Sequence, residues 1–335
     1  MSEPPEGPPQ GPPQPPAPPP GQRAVEAPRC YRHPDRETWI RCARCERPIC
    51  PDCMTNAAVG FQCPECVREG AATQRAPRSV LGARLDARGA PVTLALLGIN
   101  VAVFILDYVL GLTGGADVKQ TFGVVGLAVG LDANGAPQVL GVADGEWYRL
   151  VTAMFVHGSV FHLLFNTWAL WLVGPTIEAV AGRMRYLVIY LTCGFAGATA
   201  SYVFNDPRTL SVGASGAIFG LFGAVLVIQR RMGRQATEVL ALIGLNLVLG
   251  FVIPNIDWRA HLGGLVAGLV LTAALAFAPR AYRNAAFGVA VLAVVAVCLV
   301  AAQARTSELQ GALLGSPGGR AAAAVPTMVG EATRQ

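Results

Sequence analysis

Ser215 stands in the run Gly213-Ala214-Ser215-Gly216, and His261 in Ala260-His261-Leu262-Gly263-Gly264. A serine hydroxyl and an imidazole together supply a nucleophile and a general base. The histidine takes the hydroxyl proton during attack and returns it to the leaving group. Both residues lie in strongly apolar stretches, where a histidine is costly to place and so marks a functional candidate. The bland alternative for Ser215 is a helix N-cap. His157, His162 and Asn166 form a second polar set in another apolar stretch, with 162 and 166 four residues apart and hence on one helix face. Their side-chain N–H groups, with backbone N–H groups near Ser215, would suit a developing oxyanion; the alternative is an interhelical hydrogen-bonded pair. His157 is rotated off that face and reads as a loop or helix-start contact. No acidic residue is placed to orient His261, so the pattern is a dyad. Phe219, one turn below Ser215, is placed to brace the imidazole by stacking.

A separate chemistry sits near the N-terminus. Cys30-x2-His33, Cys42-x2-Cys45, Cys50-x2-Cys53 and Cys63-x2-Cys66 are four pairs at metal-knuckle spacing, and their eight ligands suit two tetrahedral zinc ions. Seven cysteines plus one well-spaced histidine favour metal over disulfides in a reducing compartment. The interleaved pairs resemble B-box or RING-like cross-braced modules. That resemblance implies that the first and third pairs share one ion and the second and fourth the other. Residues 29–70 carry seven arginines and six acidic residues. With thiolates and zinc included the net charge is about −2, which disfavours nucleic acid as a partner. The module reads as a small domain folded by zinc because so short a segment builds no core of its own; a docking surface for a protein partner is the sharper alternative. Cys193 and Cys298, in apolar stretches, read as packing residues.

The elements that must position these groups are membrane spans. Of 335 residues, 53% are hydrophobic and 14% charged, against about 25% charged in soluble domains. Apolar runs lie at about 91–112, 151–174, 185–204, 215–229, 238–254, 259–278 and 285–303. Each approaches the ~20 residues that cross a bilayer, except the fourth and, marginally, the fifth. The expectation is an all-α polytopic membrane protein. Its organisation reads as a Pro-rich disordered tail (1–28), a zinc module (29–70), a linker (71–90), a helical core (91–278), one additional transmembrane helix (279–303) and a disordered tail (304–335). With a cytoplasmic N-terminus, the inner loops hold Arg183, Arg185, Arg230, Arg231, Arg234, Arg280 and Arg283. The outer loops hold Lys119, Arg149, Arg208 and Arg259, so charge placement favours that orientation. Ser215 then lies roughly 8 Å below the outer edge of the hydrocarbon core, at the positive end of its helix. The stripes Gly216-x3-Gly220-x3-Ala224 and Ala260-x3-Gly264-x3-Gly268 would let two helices approach closely and bring Ser215 to His261.

Gly213-Ala214-Ser215-Gly216, Ala260-His261-x2-Gly264-x3-Gly268 and His157-x4-His162-x3-Asn166 resemble the rhomboid family of intramembrane serine proteases, over roughly residues 92–278. The resemblance implies a six-helix core, here with a seventh C-terminal helix. It implies Ser215 as nucleophile, His261 as general base, His162 and Asn166 as oxyanion donors, and Gly213 as the residue that allows a tight approach to the serine. Trp147-Tyr148-Arg149 resembles the aromatic-Arg element of the family's first outer loop. Glu178, read as lying in the first inner loop, matches a structural acidic position, with Ala179 where an arginine neighbour is usual and Arg183 the nearest. The implied substrates are single-pass membrane proteins cleaved near the outer end of their span in the lipid bilayer. The implied place is the cell membrane, with the N-terminus cytoplasmic and the active site opening outward. Zinc is expected to be structural, and no cofactor is expected for catalysis. A non-cleaving relative would lack the serine or the histidine, and a proton-relay transporter would carry more intramembrane acids than Asp107.

Overall fold

The computed structural model describes residues 26–73, 78–83, 89–115, 117–131, 137–253 and 256–315. The expected N-terminal tail up to residue 25, and the C-terminal tail from 316, lie outside them. The chain divides into two units, Met1–Arg75 and Ala76–Gln335.

In the first unit a short turn at Pro51–Cys53 leads into the antiparallel pair β1 (Thr55–Asn56) and β2 (Phe61–Gln62) and then helix α1 (Pro64–Thr73). Its buried centre is Cys30, Cys42, Ile49, Cys50, Cys53, Cys63 and Cys66, each at most 3% exposed. Six of these seven are thiols, so aliphatic burial alone does not account for the fold.

The second unit is helical. Its elements are α2 (Pro91–Leu112), α3 (Val118–Phe122), a hairpin of β3 (Ala128–Leu131) and β4 (Pro137–Leu140), α4 (Arg149–Thr152), α5 (Val160–Ala181), α6 (Arg183–Phe204), α7 (Ser215–Arg231), α8 (Thr237–Val252), α9 (Trp258–Phe277) and α10 (Arg283–Gly315). Among the described residues five helices, α2, α5, α6, α9 and α10, are long and apolar enough to cross a membrane. Their length and composition are those of the spans of a multi-pass membrane protein. The helices α7 and α8, at 17 and 16 residues, are shorter.

Helix starts follow local chemistry. Pro91 opens α2, and the buried Glu178 carboxylate accepts from the Val92 and Thr93 N–H groups at 3.1 and 2.8 Å and from the Thr93 hydroxyl at 2.8 Å. Glu178 is therefore inside α5 and caps α2 across the helix interface, rather than lying in the first inner loop. Ser159 caps α5 by accepting from the His162 N–H, and Asp257 caps α9.

Three boundaries differ from the sequence expectation. The run expected at 151–174 is two objects, because short turns over 149–155 precede the Ser159 cap and the helix runs to Ala181. The tail expected from 304 is helical to Gly315. Thr306 hydroxyl bonds Tyr202 at 2.8 Å and Gln310 reaches the Ala143 carbonyl at 2.7 Å, so these polar residues have partners that hold the extra turns. Part of the expected linker is packed: Leu81 is fully buried and its carbonyl accepts from Arg185 at 2.8 Å.

The centre of this unit is α7, packed on α6 and α9. A side chain on Gly264 would overlap the Gly216 carbonyl, and one on Gly268 the Gly220 carbonyl, so α7 and α9 touch backbone to backbone. The sulfur of Cys193 fills the space over Gly220 from α6. Adding one methyl group at this seam must separate two helices. Gly268→Ala is expected to lower the melting temperature in detergent by about 10 °C or more, whereas Gly288→Ala, whose new methyl meets nothing within 4 Å, leaves it unchanged or higher. Equal melting of the two variants would contradict the seam.

Candidate active site

Ser215 is the first residue of α7, and His261 lies in the first turn of α9. The Gly216–Gly264 contact sets their relation, since Ser215 immediately precedes Gly216 and His261 is one turn before Gly264. Both residues stand at the same end of the seam. Phe219, four residues after Ser215, stacks on the His261 ring with centroids 4.1 Å apart and planes within 8°. His261 is 7% exposed, and its Nδ1 has no hydrogen-bond partner. The first N–H groups of α7 have no carbonyl one turn back inside the helix, which leaves donors at its N-terminus beside Ser215.

The segment before α7 brings in the second set. Gly213 has φ +127°, in the region that favours glycine, and a Cβ there would come within 2.6 Å of His162 Cε1 and 2.7 Å of Nε2. The Cε1–Nε2 edge of the His162 imidazole thus abuts the chain two residues before Ser215. Asn166, 6% exposed, donates from Nδ2 to the His162 carbonyl at 2.8 Å, one turn back on the same helix. His157, in the turn ahead of α5, is 1% exposed and packs edge to face on His162 with centroids 5.2 Å apart. Neither of its ring nitrogens has a partner. It therefore joins the cluster as packing against His162.

Two further groups hold this end of the molecule. Arg149 is 1% exposed and donates to Glu146 at 2.8 Å and to the carbonyls of Gln120 and Gly123 at 2.5 and 2.9 Å, tying the loop before α4 together. Tyr148 beside it reaches the Thr121 carbonyl and Glu146. Asp257 was not singled out by the sequence reading. Its carboxylate accepts from Ser211 Oγ at 2.7 Å and Asn205 Nδ2 at 3.1 Å as well as from the α9 N-terminus. The available signal was an Asp directly ahead of an apolar helix. Asp107, the intramembrane acid of the sequence, pairs with Lys119 at 3.2 Å.

The first unit holds two four-residue sets, Cys30, His33, Cys50, Cys53 and Cys42, Cys45, Cys63, Cys66, with the ligand atoms of each within 4.8 Å of one another. These are the interleaved pairings implied by the cross-braced resemblance. Tetrahedral zinc with 2.3 Å thiolate bonds requires sulfurs about 3.8 Å apart and sulfur–nitrogen separations of about 3.5 Å. Cys45 and Cys63 Sγ are 3.7 Å apart, and His33 Nδ1 lies 3.3, 3.4 and 3.8 Å from the sulfurs of Cys50, Cys53 and Cys30. The donors fit the ion. Arg47 donates to Cys45 Sγ at 3.3 Å and holds that thiol below its ordinary range, as thiolate ligation requires.

The family model of the rhomboid domain matches residues 144–278, a segment that contains His157, His162, Asn166, Gly213, Ser215, Phe219 and His261. The chain is 39% identical over 214 residues to Rhomboid protease GluP of Bacillus subtilis (strain 168), covering 62% of this chain and 38% of that protein. It is 38% identical over 138 residues to Putative rhomboid protease YdcA of the same organism, covering 40% of this chain and 69% of that protein. Rhomboid protease AarA of Providencia stuartii is 28% identical over 259 residues, covering 66% of this chain and 86% of that protein. The chain thus spans well under half the length of GluP. With YdcA matched over more than two thirds of its length, and a membrane helix bundle built around the matched segment, the chain belongs to the rhomboid family.

Proposed function

We propose that the chain is an intramembrane serine endopeptidase that cleaves membrane-protein substrates with Ser215 and His261. The observation that supports this reading is the backbone seam of α7 and α9, which joins Gly216, next to Ser215, to Gly264, one turn after His261, with Phe219 stacked on the His261 ring. His261 removes the Ser215 proton as Oγ attacks the scissile carbonyl, giving a tetrahedral adduct, and then protonates the departing amine. Water, deprotonated by the same imidazole, releases the acyl group from Ser215. Charge on the adduct oxygen is met by the unpaired N–H groups at the start of α7 and by the side chains of His162 and Asn166. Gly213 serves by letting His162 lie against the nucleophile's own strand.

The peptide to be cut must present an extended stretch, since a helical amide has its carbonyl occupied. That favours single-pass substrates with helix-destabilising residues near one end of the span. The arginine bias of the loops supports a cytoplasmic N-terminus, with the site opening to the other side. The two Cys/His sets hold structural zinc, which would fix the first unit's loops in place of an aliphatic core.

In liposomes, wild type is expected to cut a fluorescent single-pass reporter, and Ser215→Ala and His261→Ala to lose about 10³-fold or more in kcat while remaining folded. Retained cleavage in either would contradict the dyad. Gly213→Ala is expected to lower kcat at least about tenfold by displacing His162; unchanged kcat would remove that contact from the mechanism. Metal analysis of the purified full chain is expected to give two zinc ions per chain, and about one after Cys50→Ser with Cys53→Ser. A metal-free wild-type chain with an intact first unit would overturn the zinc reading.

A further inference from the structure

We propose that Asp257 is a positioning residue for the reaction, holding the segment that carries Ser215 and the helix that carries His261 in one register. This rests on Ser215 and His261 being the reacting pair. Asp257 stands four residues before His261, and Ser211 four residues before Ser215. One carboxylate joins them. Its Oδ2 accepts from Ser211 Oγ at 2.7 Å and from Asn205 Nδ2 at 3.1 Å, while Oδ1 accepts from the Arg259 and Ala260 N–H groups, each at 3.2 Å. One oxygen therefore caps α9 and the other ties that cap to the α6–α7 connection.

The junction is anchored on every side. Asn205 Oδ1 accepts from Arg259 Nη1 at 2.8 Å, and its carbonyl accepts from Arg305 of α10 at 3.4 Å. Ser211 exchanges both backbone hydrogen bonds with Val124 at 2.8 Å, linking the junction to the outer-loop segment held by Arg149. A carboxylate accepting four hydrogen bonds in a half-buried site is a stiff connector. It is not a third member of a catalytic triad: the His261 Nδ1 that such a residue would bond has no partner. Asp257 acts instead through backbone. The seam at Gly216 and Gly264 fixes the separation of α7 and α9, and the Asp257–Ser211 link fixes how the chain enters α7 relative to the start of α9. Loss of about 1 Å in such an alignment is enough to slow a reaction about 100-fold.

Capping and linking are separable by substitution. Asp257→Asn keeps one oxygen for the α9 cap, since Asn caps as well as Asp. It turns an amide donor toward Asn205 Nδ2, itself a donor, and breaks that contact; the Ser211 hydroxyl can accept from the amide, so Ser211→Ala is added to break the other. Exchanging the partners, as Asn205→Asp with Asp257→Asn, restores a donor–acceptor pair across the same gap. In the reconstituted full chain, Asp257→Asn combined with Ser211→Ala is expected to lower kcat about tenfold or more, with KM within about threefold and melting within a few degrees of wild type. The exchange is expected to recover most of the lost kcat. Unchanged kcat in Asp257→Asn combined with Ser211→Ala overturns the proposal. So does a loss that tracks melting and is not recovered by the exchange, because that is a stability role alone. A wild type that does not cut, or a Ser215→Ala variant that does, removes the protease reading itself, and the proposal with it.

Discussion

The contact of Gly216 and Gly220 with Gly264 and Gly268 is the constraint on which the membrane unit is built. Inside a bilayer, lipid tails solvate leucine as well as a neighbouring helix does, so association comes from close packing and polar contacts. Glycine at four facing positions lets the main chains of α7 and α9 meet, and the small residues of α6, Gly194 and Gly197, close the third side. Enclosure explains the length of α7. With eleven of its seventeen residues buried, it is surrounded by protein and need not match the bilayer, and its N-terminus can end within the molecule beside polar groups.

Ending a helix there exposes polar atoms that lipid cannot satisfy, and three other helix starts are given a side-chain partner. Glu178 closes the start of α2 from α5, Ser159 the start of α5, and Asp257 the start of α9. Arg149 supplies the reverse service to the carbonyls of Gln120 and Gly123, with Glu146 balancing its charge. Partners are missing at both ring nitrogens of His157 and at His261 Nδ1, and also away from the proposed site, at Asn100, Tyr190 and Thr272.

The sequence carried the seam and the metal sets because both are written in local spacing. Small residues every fourth position and cysteines three apart each announce their geometry within a dozen residues. Glu178 was legible as an acid but not as a cap, since its partners lie 85 and 86 positions away. Asp257 was illegible for the same reason, its links to Ser211 and Asn205 spanning 46 and 52 positions. The division of residues 149–181 was missed because apolar composition is blind to a break between two turns of chain, and only the Ser159 cap marks it. The length of α10 was underread because Arg305, Thr306 and Gln310 look like a solvated tail until α6, the connection after it and the loop before α4 appear beside them.

The central claim is that the α7–α9 seam makes Ser215 a reactive nucleophile with His261 as its base. The direct measurement is to treat the purified full chain in liposomes with a fluorophosphonate probe and map the adduct by mass spectrometry. A serine without an activating base reacts slowly with such a probe. Modification is expected at Ser215 and is lost in His261→Ala with melting unchanged. Modification at another serine, or undiminished modification at Ser215 without His261, would contradict it.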